Sequence, residues 1–510
     1  MSQTPPGDAR CAGVVLHPTS LPGRGARGTI GAEARRFVDW LAAAGFGLWQ
    51  VLPLGPTHGD LSPYQCQSVF AADPALIDRE EPVRAGWLPA PRWDLSVRDW
   101  LGYARTHWQR SGRVVEPLAE SAETAFLQEF ARFRAARARF DEAPWWEWPA
   151  GLRDRDPQTL ATFSEHAAQG MADELFGQRL FATQWQRLRE YAARCGVQLM
   201  GDAPIFVALD SAEVWCRRDL FLLNASGAPD VVAGVPPDYF SATGQRWGNP
   251  LYNWDAMAQD GFSWWLARLS ADLDRVDCLR LDHFRGLESY WAIPSDCDTA
   301  LTGEWRTAPG DAFLQAVRDR FGRIPLIAED LGIITPAVNA LRERFELPGM
   351  KVLQFAFGGD ADNPYLPHLH TADCVVYTGT HDNDTTVGWV QTSSDEVVQH
   401  ACAYFDCVPF GLANAMLRAA YQSVARVCMV PFQDLLWLDG AHRMNVPGEP
   451  DGNWRWRFSW DMVPPERACE LRSLAELSGR AAAGSGPVSA PAGATDVAPA
   501  ELRQPLGAVF

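Results

Sequence analysis

Four stretches of this chain close an apolar run with carboxylates: Leu199-Met200-Gly201-Asp202, Leu279-Arg280-Leu281-Asp282-His283, Ile324-Pro325-Leu326-Ile327-Ala328-Glu329-Asp330, and Cys374-Val375-Val376-Tyr377 running on to His381-Asp382. Short apolar runs bounded by Gly, Pro or Asp read as buried strands, here with an acid at the tip. Along a strand alternate side chains share a face, so Arg280 and Asp282 point one way and Leu279 and Leu281 the other. A neighbouring arginine favours the ionised carboxylate, which suits a nucleophile. Each acid could equally be half of an ion pair at a sheet rim. Four acid-tipped strands meet in one pocket only if all run parallel in one barrel.

Several carboxylates and a histidine, with one lysine (Lys351) in the whole chain and no cysteine or metal motif, match retaining glycoside chemistry. One carboxylate attacks the anomeric carbon; a second protonates the leaving oxygen and then deprotonates the acceptor. Aromatic side chains supply flat apolar faces for sugar rings, and most of the 22 Trp are core residues on this reading. Two other patterns carry less. Gly23-Arg-Gly-Ala-Arg-Gly28 fits G-x-G-x-x-G but follows Leu21-Pro22 in a loop and has no acidic strand end about 20 residues on, so nucleotide binding is not expected. His368 and His370 with His381 and Asp382 could be drawn as a metal site, but chance histidines in loops explain them; no metal and no cofactor is expected.

The elements that must position these groups alternate. Strand-like runs fall at residues 13–16, 48–54, 196–200, 276–281, 324–328, 350–355 and 374–378, with helical periodicity at 32–44, 172–194, 261–274, 311–321 and 336–345. Strand–helix alternation over this length predicts an α/β fold, a (β/α)8 TIM barrel with inserted subdomains. We expect one catalytic domain over residues 1–480. It includes a helical insertion at about 73–170 and a loop-rich, aromatic-rich insertion at about 205–260, with residues 221–254 loop-like. Residues 481–510 begin with an Ala-Pro-Gly-Ser stretch that predicts a flexible tail.

Composition narrows the partners. The 510 residues are 47% hydrophobic and 21% charged, ordinary for a folded globular chain. A net charge of −18 argues against a phosphate-backbone binder, so nucleic acid is not an expected partner. Eleven cysteines without C-x-x-C spacing, no apolar leader and no membrane-length run predict a cytoplasmic protein without a membrane partner.

The motifs then become recognisable in order: Ser62-Pro-Tyr64-Gln65, GDAPIFVALDSAEVW from Gly201, PPDYFSATGQRWGNPLY from Pro236, RLDHFRG from Arg280, AEDLG from Ala328, YTGTHDNDTT from Tyr377, then RMNVPG and GNWRWR. Together they resemble the amylomaltase or 4-α-glucanotransferase (disproportionating enzyme) family, glycoside hydrolase family 77, across about residues 12–480. The resemblance implies a barrel with inserted subdomains and retaining double displacement. It implies Asp282 as nucleophile, Glu329 as general acid/base and Asp382 as transition-state stabiliser. It also implies that Ser62, Tyr64, Asp202, Arg280, His381, Tyr239, Phe240 and Trp247 bind substrate, with Tyr239, Phe240 and Trp247 in a loop that resembles the family's lid over the acceptor side. The implied partners are α-1,4-glucans, maltooligosaccharides and glucose. Retention further implies that the two carboxyls stand roughly 5–5.5 Å apart. The acids alone leave transfer, hydrolysis and silent glucan binding open. Two positions depart from the family pattern: the loop after Pro22 lacks an acid, and Thr307 stands where some relatives carry Lys.

Overall fold

The computed structural model describes residues 10–112, 122–237 and 241–482. Tyr239, Phe240 and residues 483–510 of the expected tail lie outside the described residues. Eight parallel strands form one sheet: β1 Cys11–Val15, β2 Leu48–Gln50, β3 Gln198–Ala203, β4 Cys278–Leu281, β5 Leu326–Ala328, β6 Gly349–Val352, β7 Cys374–Tyr377 and β8 Val427–Pro431. Their spatial order is β6-β7-β8-β1-β2-β3-β4-β5. The ends of that row meet: Ala328 N–H donates to Pro348 O at 2.9 Å, and Met350 N–H donates to the Asp330 carboxylate at 2.6 Å. The expected (β/α)8 barrel is therefore present.

Alternation along each strand separates two cores. Val15, Met200, Cys278, Ile327, Val375 and Met429 pack together inside the barrel. Val14, Trp49, Leu199, Leu279 and Leu281 belong to the outer core beneath the helices. Both faces of the sheet are thus largely apolar, which is why the strands read as hydrophobic runs, with Gln50, Asp202 and Arg280 as buried polar exceptions near the strand ends. The helices follow the same economy: in helix Ala32–Ala43, Ala34, Phe37, Val38 and Leu41 are buried, an i, i+3, i+4, i+7 stripe against the sheet.

Between β2 and β3 lie helices Val97–Arg110, Ala122–Arg139 and Pro157–Arg194. The last is one 38-residue helix that passes through position 170, where the insertion was expected to end. Asp156 caps it and Pro157 opens it, both favoured at a helix start. Two of its buried glutamines hold the chain that follows the β2 loop. The Gln178 amide pairs with both Ala72 N–H and Ala72 O at 2.9 Å, and Gln184 does the same for Asp78 at 2.8 and 3.0 Å.

Two expectations need correction. Only seven strand runs were named in the sequence; the eighth, Val427–Pro431, completes the barrel. The stretch 221–254, expected as loop, contains strands Val231–Val235 and Gln245–Pro250. They join Ser289–Pro294 and Glu304–Thr307 in an antiparallel four-stranded sheet. The physical reason is non-local pairing: a strand broken by Gly234 and Gly248 is weak alone and is held by residues about sixty positions on.

Asp330 is the side chain that closes the barrel seam, beside the Ala328–Pro348 backbone bond. Its carboxylate also meets Arg342 Nε at 3.2 Å, and the residue is buried. Asp330→Ala is expected to lower unfolding stability by about 1.5–3 kcal/mol, because a buried amide and a guanidinium lose their charged acceptor. The denaturant midpoint measures this, and Asp330→Asn should recover part of the loss.

Candidate active site

Arg280 lies at the centre, 4% exposed, on the inward face of β4. Its guanidinium meets both oxygens of Asp202 at 2.8 and 2.7 Å and Asp282 at 2.9 Å. Register explains the pairing, since Asp202 on β3 lies directly beside Arg280 and Asp282 is the next inward position beyond the strand end. Burial pushes Asp202 up to about 6 even with the arginine in contact. Tyr64 adds a hydrogen bond to Asp202 at 2.8 Å, so one carboxylate holds both the cation and the phenol.

Glu329 stands at the tip of β5. The β4–β5 register pairs Leu281 with Ala328, which sets Asp282 and Glu329 on adjacent strand tips, one strand spacing of about 4.8 Å apart along the ladder. Two backbone amides hold the glutamate: His283 N–H to Oε2 at 2.7 Å and Leu331 N–H to Oε1 at 2.8 Å. Burial pushes Glu329 up to about 7, and Asp282 adds to the rise, while Arg280 and those amides oppose it. The His283 amide reaches Glu329 because His283 adopts a left-handed conformation, φ 52°, turning the chain sharply after Asp282. For a non-glycine residue that conformation costs on the order of 1–2 kcal/mol. The His283 ring is buried edge-on to Trp247, centroids 4.8 Å apart, and burial pushes its pKa down to about 3. It is neutral at physiological pH.

The loop after β7 brings His381 and Asp382. His381 Nε2 lies 3.3 Å from Asp382, whose side chain is 47% exposed at the mouth of the site. Burial opposes charge on both, yet the pairing prevails: His381 is raised, and Asp382 is brought down to about 2 by His381, Asn445 and Arg280. Asn445 Nδ2 donates to Asp382 Oδ1 at 2.6 Å and Arg443 donates to its backbone carbonyl at 2.8 Å. Tyr64 stacks on the His381 ring at 5.1 Å and 12°, with Trp454 tilted against both at 5.9 Å.

The structure thus brings Tyr64, Asp202, Arg280, Asp282, Glu329, His381 and Asp382 together, with Trp247 beside them through His283. Ser62 shares the Tyr64 loop, where its N–H donates to Asp60 at 3.2 Å; Tyr64 is the residue of that loop that enters the cluster. Trp454, Asn445 and Arg443 were missed as site residues although RMNVPG and GNWRWR carry them. Their signal was a polar, aromatic segment following the unnamed eighth strand. The histidines weighed as metal ligands have other partners: His370 contacts Ser423 Oγ at 2.8 Å and Tyr365 O at 3.0 Å, and His368 contacts Tyr404 at 2.9 Å. Among the described residues no group of three or more His, Cys, Asp or Glu is placed to hold a metal ion. A cavity of about 1020 Å³ opens elsewhere, between the inserted helices and the β2 loop, and none of the four acids lines it.

A charged guanidinium between two acids, with a third carboxyl on the next strand tip that keeps its proton to about pH 7, can deliver a nucleophile and a proton to one bond. The infrared carbonyl band of a protonated carboxylic acid, taken as wild type minus Glu329→Gln, is expected to vanish as pH rises through about 7. A band lost already near pH 4.5 would contradict the raised Glu329.

Comparison with known proteins agrees with this arrangement. Residues 16–462 match the family described as 4-alpha-glucanotransferase. The chain is 44% identical to the 4-alpha-glucanotransferase of Thermus thermophilus, over 92% of this chain and 99% of that one. It is 43% identical to the chloroplastic/amyloplastic 4-alpha-glucanotransferase of Oryza sativa subsp. japonica, over 92% and 84%. Its structure is similar to that of the amylomaltase from Streptococcus agalactiae in complex with acarbose, with a TM-score of 0.87, 32% identity and coverage of 92% and 100%. The acids set on barrel strand tips and these matches over nearly the whole length lead to one assignment: the chain belongs to the 4-alpha-glucanotransferase family, glycoside hydrolase family 77.

Proposed function

We propose that this chain is a 4-α-glucanotransferase that moves a segment of an α-1,4-glucan to the 4-hydroxyl of another glucan or of glucose by retaining double displacement. The observation that carries the mechanism is the pairing of Asp282, held by Arg280 at 2.9 Å, with a proton-bearing Glu329 on the neighbouring strand tip. Asp282 attacks the anomeric carbon as Glu329 gives its proton to the departing 4-oxygen. The glycosyl segment is then an ester on Asp282 and Glu329 is a carboxylate. An incoming 4-hydroxyl loses its proton to Glu329 and displaces Asp282, so the two inversions restore the original configuration.

Asp382 and His381 hold the sugar hydroxyls, with Asp382 as the anion beside the oxocarbenium-like transition state, and Asp202 serves the bound sugar by fixing Arg280 and Tyr64. Tyr64 offers an aromatic face to the ring bound there. Trp247, with Tyr239 and Phe240 of the same segment, guards the acceptor side; Ser62 orders the Tyr64 loop. Water must be kept from the glycosyl-enzyme for transfer to exceed hydrolysis. The maltooligosaccharide substrate class is supported by the acarbose complex of the similar streptococcal amylomaltase. We also propose a cytoplasmic location, supported by eleven cysteines that are all free. No described helix is long and apolar enough to cross a membrane.

Pure maltotriose separates the readings. Transfer yields glucose and longer oligomers with no net gain of reducing ends, hydrolysis raises reducing ends, and a silent binder leaves maltotriose intact. Asp282→Asn is expected to reduce turnover on the order of 10³-fold or more; full turnover in that variant would remove Asp282 as nucleophile. Because Glu329 must enter the reaction protonated, kcat/KM should fall as pH rises through about 7, while Glu329→Gln loses the rate without keeping that limb.

A further inference from the structure

Asp434 sits in the short helix Phe432–Leu435 that follows β8, 3% exposed, and takes no part in the contacts described so far. Its carboxylate accepts three short hydrogen bonds. Thr378 Oγ1 donates to Oδ2 at 2.6 Å, Thr386 Oγ1 donates to the same oxygen at 2.6 Å, and Thr386 N–H donates to Oδ1 at 2.6 Å. Both threonines are 1% exposed. Thr378 immediately follows β7 and Thr386 opens helix Thr386–Thr392, so the two donors flank the seven residues 379–385 that present His381 and Asp382.

We propose that Asp434 is a positioning residue: by clamping both ends of the loop 379–385, it sets where the Asp382 carboxylate stands relative to Arg280 and Glu329. The inference rests on the role given to Asp382 above. Three features make the carboxylate an effective clamp at this place. It is acceptor-only, matching three donors that converge on two oxygens. It is buried, so those donors have no water to replace it. Among the described residues no cation pairs with it, so its charge is satisfied by the loop ends alone and the loop is correspondingly tied to it. Burial pushes Asp434 up from the usual carboxylate range, and the threonine bonds pull it back.

The rest of the loop leaves few other freedoms. Gln354 Nε2 donates to Asp384 O at 2.8 Å, Asn383 accepts from Thr380 N–H and Oγ1 at 2.9 Å, and a Cβ at Gly388 would collide with the Asp384 carboxylate. These bonds shape the interior of the loop. Asn445 and Arg443 hold Asp382 itself, and Asp434 ties the loop's two ends to each other and to the short helix after β8.

Asp434→Asn can keep all three contacts, because each threonine hydroxyl can turn to accept from its –NH2, so the variant that tests the clamp is Asp434→Leu, which is close in size and offers no acceptor to either loop end. Misplacement on the order of 1 Å at a reacting group costs on the order of 100-fold. Asp434→Leu is therefore expected to lower kcat on maltotriose on the order of 10- to 100-fold, with KM within about twofold of wild type. Thr386→Val should show a smaller loss of the same kind, and Thr386→Ser should restore the rate because it returns the hydroxyl.

The deciding measurement is a double-mutant cycle read with α-maltotriosyl fluoride, an activated donor that keeps weak variants measurable. If Asp434 acts through Asp382, then Asp434→Leu has little further effect once Asp382→Asn is present. An equal factor in both backgrounds, or wild-type turnover by Asp434→Leu, overturns the proposal. Melting temperatures of all variants accompany the rates, and a kcat loss that appears only where the variant is partly unfolded at the assay temperature also overturns it. Full turnover by Asp382→Asn alone would instead overturn the role given to Asp382.

Discussion

A buried arginine charge is the constraint on which this structure turns. Arg280 is almost fully enclosed, and an ion removed from water in this way is tolerated only with close partners of opposite sign. Asp202 and Asp282 are those partners, and they come from the end of the neighbouring strand and from the residue just past the same strand. The three groups can meet only if β3 and β4 are parallel and in the observed register. Removing either acid would leave an under-compensated buried cation. The chemistry and the strand order are therefore fixed by the same contact, and the barrel cannot slip by one residue without separating them.

From that centre the remaining parts follow by contact. β5 is held against β4 and closed onto β6 by Asp330, and this places Glu329 one strand from Asp282. The left-handed turn at His283 is local strain that the surroundings sustain: Trp247 and the buried wall hold the ring, and the freed amide goes to Glu329. On the far side, β7 and β8 are joined through Asp434 and the threonines, carrying the His381–Asp382 pair to the rim. The inserted helices act at one remove, through Gln178 and Gln184, on the chain that follows the Tyr64 loop.

Much of this was legible in the sequence because parallel barrel strands are apolar on both faces and end abruptly in polar residues. That pattern located Asp202, Asp282, Glu329 and the His381–Asp382 pair before any contact was known. Val427–Pro431 has the same apolar character and is followed by Gln433 and Asp434, so its pattern was present in the sequence although it was not among the seven runs named. The antiparallel sheet, by contrast, was hidden. Its strands are short, interrupted by glycine and stabilised by partners distant in sequence. Asn445 and Trp454 lie in motifs the sequence displays, but their place in the site does not follow from any periodicity: it is set by hydrogen bonds from Trp454 N–H to Met444 O and from Asn445 to Asp382.

The environment of Glu329 also explains how one residue can serve both halves of the proposed reaction. In the free protein burial comes first in raising it to about 7, and the charge of Asp282 adds to the rise. When Asp282 becomes an ester that charge is gone, while Arg280 and the His283 and Leu331 amides stay where they were. The balance then shifts toward the ionised form, which is the form needed to take a proton from the acceptor. No donor has to move for this to happen, because both amides already point at the oxygens that become fully charged. The strained turn at His283 thus has a use beyond geometry: it supplies a fixed dipole that matters most after the first bond has broken.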